Sequence, residues 1–231
     1  MLGTNPILPL KKGDGNFLDV QEIFATFQGE GLFTGYPAIF VRLGGCNLAC
    51  KFCDTEFDSY REIALTKIIA EIEKLAKEKK EQKKKKGKRI YNLVVISGGE
   101  PMRQEIAPLC RQLIAKNFAV QIETNGTLYR KLPKEVVIIC SPKANSGAYH
   151  PLRADLLKRI SAFKFLISAQ NKNYQKIPEL GQSQFNITVY LQPIDELDEK
   201  KNQANRALTI KLAQDNGCRI SLQTHKIWKI R

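Results

Sequence analysis

Short apolar runs recur along this chain, and nearly every one stops at a polar or glycine motif. Strands are expected at residues 38–43, 92–97, 120–123, 136–140, 163–167, 187–191 and 219–222. Several are almost continuously apolar, as in parallel strands buried on both faces. Helical periodicity separates them. Ile68, Ile69, Ile72, Leu75 and Ala76 form one stripe within 65–80. Residues 106–117 and 202–215 also read as amphipathic helices, the second stopped by Gly217. Alternating strands and helices imply an α/β fold with a parallel sheet.

The strand-end motifs are Gly44-Gly45-Cys46, Ser97-Gly98-Gly99-Glu100-Pro101, Glu123-Thr124-Asn125-Gly126, Ser141-Pro142-Lys143, Gln192-Pro193-Ile194-Asp195 and Gln223-Thr224-His225-Lys226. Barrel-type sheets build their sites at the carboxyl ends of strands, so these motifs are expected at one mouth. A closed eightfold barrel takes about 250 residues. With 231 residues and few strands, the expected fold is an open, partial β/α barrel forming one domain over residues 1–231. A hydrophobic content of 43% suffices for its core, and no apolar run is long enough to cross a membrane. No signal-peptide pattern opens the chain, and free thiols suit a reducing cytosol, so a cytoplasmic location is expected.

The net charge of +14 is unevenly placed. Residues 77–89 hold nine basic and two acidic residues, half of that excess. The run reads as a solvated lysine-rich insertion after a helix. Without interleaved aromatic residues to stack bases, a nucleic-acid partner is not expected from it.

Cys46, Cys50 and Cys53 have the spacing C-x3-C-x2-C directly after the first of these strands. Three such thiolates suit three corners of an iron–sulfur cube, leaving one iron open for chemistry. The rivals are structural zinc, which wants a fourth Cys or His that is not nearby, and unrelated core thiols. A disulfide framework fits an odd trio badly. Cys110, Cys140 and Cys218 sit in apolar segments and read as buried, inert thiols.

Other strand ends carry binding chemistry. Glycines at 98 and 99 let a backbone approach a ligand closely. Lys143 offers a cation, and Gln192 with Asp195 offers an amide and a carboxylate suited to ribose and base edges. Arg42 shares a strand face with Ala38 and Phe40 and leads into the cysteine loop. Its planar fork suits a substrate carboxylate, and the rival reading is an ion pair with a nearby Glu.

The trio, with Phe52 before its third cysteine, resembles the signature of the radical S-adenosylmethionine (SAM) superfamily. The resemblance implies a 4Fe-4S cluster on Cys46, Cys50 and Cys53, SAM on its open iron, and Phe52 near the adenine. It also implies SAM contacts from the glycine motif at Gly99 and from Ser141, Lys143, Gln192 and Asp195. Read in order, Phe27-Gln28-Gly29-Glu30-Gly31, Arg42-Leu43-Gly44-Gly45-Cys46-Asn47-Leu48, Cys53-Asp54-Thr55 and the later strand-end motifs resemble the 7-carboxy-7-deazaguanine synthase family. This match runs from Asp19 to the C-terminus apart from the lysine-rich run. It implies a ring-contracting lyase acting on 6-carboxy-5,6,7,8-tetrahydropterin. The substrate would meet Phe27, Gln28, Gly29, Arg42, Ser97, His225 and Arg231, with Mg2+ on Thr55. A homodimer and a reducing partner such as flavodoxin or ferredoxin are implied as well. Two rivals stand beside this reading: a glycyl-radical activating protein, and a metal-stabilised RNA-binding module.

Overall fold

The computed structural model describes residues 5–53, 55–77 and 89–230. Its first half contains strands β1 (Phe17–Phe27), β2 (Pro37–Leu43) and β3 (Arg61–Ala64), helix α1 (Leu65–Leu75), β4 (Leu93–Gly98), α2 (Ala107–Ala115), β5 (Ala119–Thr124) and β6 (Val137–Cys140). Then follow β7 (Ala144–Asn145), β8 (Ala148–Tyr149), α3 (Ala154–Leu157), β9 (Ala162–Ile167), α4 (Gln182–Phe185), β10 (Thr188–Pro193), α5 (Glu199–Asn216), β11 (Arg219–Ile220) and α6 (Thr224–Trp228).

Nine strands form one sheet in the order β11-β10-β9-β6-β5-β4-β2-β1-β3. From β2 to β11 every pairing is parallel, and spatial order follows chain order. Successive crossovers therefore step in one direction, the winding of a barrel rather than of a doubly wound sheet. The outer strands β3 and β11 do not pair with each other, so the barrel is open.

The expected strands form, but the sequence reading missed four: β1 and β3 of this sheet, and the short separate pair β7 and β8. β1 pairs antiparallel with both β2 and β3. A register shift between Val20 and Glu22 breaks the alternation of β1, which hides it from a period-two search.

The main core lies between the sheet and its helices. Ile39, Val41 and Leu43 of β2 are fully buried with Ile68 and Ile72 of α1 and Leu109 and Leu113 of α2. Each such side chain contributes about 1.5–3 kcal/mol by leaving water. Ala38 and Phe40 face the opposite way, onto Leu93 and Val95 inside the barrel. Cys110 and Cys140 are buried as expected, but Cys218 is only half-buried.

Helix α5 corrects one expectation. It is capped by Asp198, whose side chain accepts from the Lys201 N–H at 3.1 Å, and it ends at Gly217 with φ +63°. Its buried face is not an apolar stripe, since it carries Asn205, Thr209 and Ala213. Asn205 reaches across to accept from Ala169 N and donate to Ile194 O, at 2.7 and 2.8 Å. The helix is thus held partly by hydrogen bonds to loop backbone.

Helix α1 stops at Leu75 rather than continuing to residue 80, and Lys77 instead bridges antiparallel to Arg89. The lysine-rich expectation for 78–88 falls outside the described residues. No helix among the described residues is long and apolar enough to cross a membrane.

Candidate active site

The strand-end motifs line one cavity of about 460 Å3 at the carboxyl ends of the parallel strands. Cys46, Cys50, Phe52, Cys53 and Thr55 form one wall. Gly99, Ser141, Lys143, Gln192 and Asp195 form another. Phe27, Gln28, Gly29, Arg42, Ser97 and His225 complete it. Arg231 lies outside the described residues.

Backbone contacts fix the cysteine loop. Glycines at 98 and 99 let β4 run tightly beside the end of β2. A Cβ on Gly98 would stand 2.2 Å from the Leu43 carbonyl oxygen, and one on Gly99 1.9 Å from that of Gly45. The Gly99 N–H donates to Leu43 O and the Glu100 N–H to Gly45 O, both at 3.0 Å. Gly99 therefore has its carbonyl, not its amide, to offer a ligand.

None of the three cysteines is in a disulfide, and no group of three His, Cys, Asp or Glu side chains among the described residues is gathered closely enough for a single metal ion. Three thiols around one cavity wall, with no fourth Cys or His lining it beyond His225 on the far side among the described residues, fit an iron–sulfur cube better than tetrahedral zinc. Burial pushes the Cys46 thiol up to about 12, and the nearby Glu100, Cys50 and Cys53 oppose its ionisation further. Burial also raises Cys50, which the Lys143 charge draws back down. Bound iron would supply the positive charge these thiolates lack.

On the second wall, Lys143 donates to the carbonyl and the hydroxyl of Ser141, each at 2.7 Å. Burial lowers its affinity for a proton, so the ammonium is primed for an anionic partner. Gln192 accepts from Ser221 Oγ at 2.9 Å. Asp195 accepts from Asn202 Nδ2 at 2.9 Å and pairs with Lys226 at 3.0 Å. Burial opposes its charge, but the Leu197 amide, Lys226 and Asn202 hold it below the usual carboxylate range. Phe52 packs edge-on to Tyr174, ring centroids 5.3 Å apart.

Arg42 makes the ion pair of its rival reading and also lines the cavity. Nη1 pairs with Glu22 Oε1 at 2.5 Å, its cross-strand neighbour, and the side chain lines the cavity. Its guanidinium lies 5.3 Å from the centroid of Phe24, which stacks on Phe40. Ser97 is its register partner on β4. Across the cavity, helix α6 clamps the loop after β1. Thr224 donates to Gly29 O from both its N–H and its hydroxyl, at 3.0 and 3.1 Å. A Cβ on residue 29 would stand 2.2 Å from His225 Nδ1, so only glycine lets that ring approach.

The sequence reading assigned no role to the cavity's buried charges. Lys164 on β9 is 5% exposed and pairs with Glu30 and, at 2.8 Å, with Glu123. Gln28 and Gln121 donate to Glu123 at 3.0 and 3.1 Å, and Gln223 donates to Glu30 at 2.8 Å. Burial opposes the Glu30 charge, but Lys164 and Gln223 hold its carboxyl down to about 2. A lone Lys in the apolar run Phe163-Lys164-Phe165 was the available signal, since a buried charge demands partners.

Residues 40–142 match the family model described as the radical SAM superfamily. A protein from Rickettsia prowazekii named 7-carboxy-7-deazaguanine synthase is 53% identical over 226 residues, covering 98% of this chain and 94% of that protein. One of the same name from Rhodospirillum rubrum is 37% identical and covers both chains completely, at 100% each. The crystal structure of QueE from Escherichia coli superposes with a TM-score of 0.71 at 25% identity, over 90% of this chain and 94% of that one. The fold, the cysteine wall and these relatives agree, and the chain belongs to the 7-carboxy-7-deazaguanine synthase family of the radical SAM superfamily.

Proposed function

We propose that the chain, acting as one catalytic domain, converts 6-carboxy-5,6,7,8-tetrahydropterin to 7-carboxy-7-deazaguanine and ammonia, on the route to queuosine and related 7-deazapurines. The observation that carries this reading is the gathering of the cysteine trio, the strand-end polar groups and Arg42 around one small-molecule cavity. A volume of about 460 Å3 is in the range of small-ligand sites and poorly suited to a protein loop.

Cys46, Cys50 and Cys53 would hold the 4Fe-4S cluster, and Thr55 the Mg2+. When bound, the cluster and SAM supply radical hydrogen abstraction, which no side chain can supply. The chain's own residues bind and orient. Lys143 and Asp195 bring charge, and Ser141, Gln192 and the Gly99 carbonyl bring hydrogen-bonding groups, for an amino-acid and nucleoside ligand, with Phe52 an aromatic face beside its base. Arg42 presents its fork to the pterin carboxylate, and Ser97, Gln28 and His225 border the heterocycle beside Phe27 and Gly29. Lys164 keeps Glu30 ionised and acceptor-only, ready for the N–H groups of a pterin. The net conversion removes one ammonia without net oxidation, so the protein's task is to hold the ring while its skeleton rearranges. A cytoplasmic homodimer reduced by flavodoxin or ferredoxin belongs to the same proposal.

The test is anaerobic reconstitution with iron and sulfide, then incubation with dithionite, SAM, Mg2+ and the pterin, followed by mass spectrometry. The expected result is 7-carboxy-7-deazaguanine with SAM largely retained, and no product from Cys50→Ala. SAM cleavage with the pterin untouched would overturn the substrate assignment.

A further inference from the structure

Two asparagines flank the cysteine trio from outside its loop. Asn125, after β5, points Nδ2 at Cys46 Sγ from 3.9 Å. Asn5, from the segment before β1, points Nδ2 at Cys53 Sγ, also from 3.9 Å. Both side chains are buried. Each is held so that it cannot swing away. Asn125 Nδ2 also donates to Asn47 Oδ1 at 3.0 Å, while its Oδ1 accepts from Thr127 N and Oγ1 at 2.9 and 2.6 Å. Its backbone N–H is bound at 2.7 Å by the fully buried carboxylate of Glu100, which also anchors Thr124 and Met102. Asn5 Nδ2 also donates to Thr55 O at 2.8 Å, and its Oδ1 accepts from Phe57 N at 3.1 Å. The segment bearing Asn5 is itself pinned, because Leu8 N donates to Cys46 O at 2.7 Å and Lys11 N to Arg103 O at 2.9 Å. In both amides the Oδ1 is committed to backbone N–H donors, which fixes the amino group toward sulfur.

Reduction of an iron–sulfur cluster adds an electron whose charge spreads onto its sulfurs. An N–H dipole aimed at a ligand sulfur stabilises the reduced form more than the oxidised one and raises the potential. We infer that Asn5 and Asn125 are positioning residues for the cluster, donating N–H groups to Cys53 and Cys46 and setting its reduction potential. The inference rests on the trio being the cluster's ligands.

Asn→Asp at either position keeps the Oδ acceptors and removes the donor, and Asn→Leu removes the donor without adding charge. The variants Asn5→Leu, Asn125→Leu, Asn5→Asp and Asn125→Asp are reconstituted anaerobically. Iron and sulfide are assayed, and the potential is read by titration monitored through the spin resonance of the reduced cluster. Each Leu variant should hold wild-type iron with a reduction equilibrium weakened about tenfold, about 59 mV downward for a one-electron couple. Each Asp variant should fall further, and a double Leu variant should show the sum, since the donors serve different ligands. Unchanged potentials in the Leu variants overturn the inference, even where Asp shifts them. Loss of iron from all four variants also overturns it, assigning the asparagines to assembly instead. A wild-type protein that takes up no iron and sulfide would bring down the cluster reading itself.

Discussion

Lys164→Met tests the buried charges at the cavity floor. Methionine fills nearly the same volume, so the change removes charge more than packing. In the native protein Lys164 lies between Glu30 and Glu123, and it is the main influence opposing burial at Glu30. The drop of the Glu30 carboxyl from 4.5 to about 2 corresponds to about 3 kcal/mol at neutral pH. That agrees with the roughly 3–5 kcal/mol lost when one partner of a buried ion pair is removed. The variant should therefore melt about 6–12 °C lower at pH 7. The sign with pH follows from a depressed carboxylate. Its stabilisation is complete above about 4.5 and is lost as pH falls toward about 2. At pH 3 the gap between wild type and variant should shrink to roughly half its neutral value or less. Urea unfolding of the cluster-free protein at pH 7, 5 and 3 measures it. A variant as stable as wild type at pH 7 would refute the reasoning, as would a deficit that does not change with pH.

Three further outcomes are expected. Gly99→Ala drives a Cβ against the Gly45 carbonyl beside Cys46, so iron uptake should fall well below wild type while Cys218→Ser takes up iron normally. Arg42→Lys replaces a planar fork with a point charge, so pterin KM should rise about tenfold or more, about 1.4 kcal/mol, with SAM binding by equilibrium dialysis unchanged. Deleting residues 78–88 should leave retention on an RNA column at low salt unchanged; a clear loss would revive nucleic-acid binding by the lysine-rich run.

Much of the architecture was legible because the parallel strands are buried on both faces and their polar residues cluster at one end. That arrangement leaves nearly unbroken apolar runs with abrupt polar stops, as in Val94-Val95-Ile96 before Ser97. Strand β1 was not legible, because its bulge near Gln21 sets apolar and polar residues out of phase. The inner face of α5 was misread since Asn205 is buried to bond Ala169 N and Ile194 O, backbone that reaches it only once the loops after β9 and β10 are in place, while Thr209 bonds back to Asn205 O within the helix. Lys164 and Glu123 sit on different strands, and Glu30 follows a third. Each alone reads as a surface charge or a loop residue, and only the curvature of the sheet makes them neighbours. Asn5 lay before every motif that could be read, and its importance comes entirely from where the chain folds back.

The paired glycines at 98 and 99 bear on how the site can change over time. Two main-chain hydrogen bonds tie the glycine turn to the end of β2 and the start of the cysteine loop. The spacing between the two loops is thereby written in the backbone, not in side chains. Substitutions around the cavity can retune what is bound at its rim without altering that spacing. One part of the site is free to drift toward new ligands while the other keeps its dimensions.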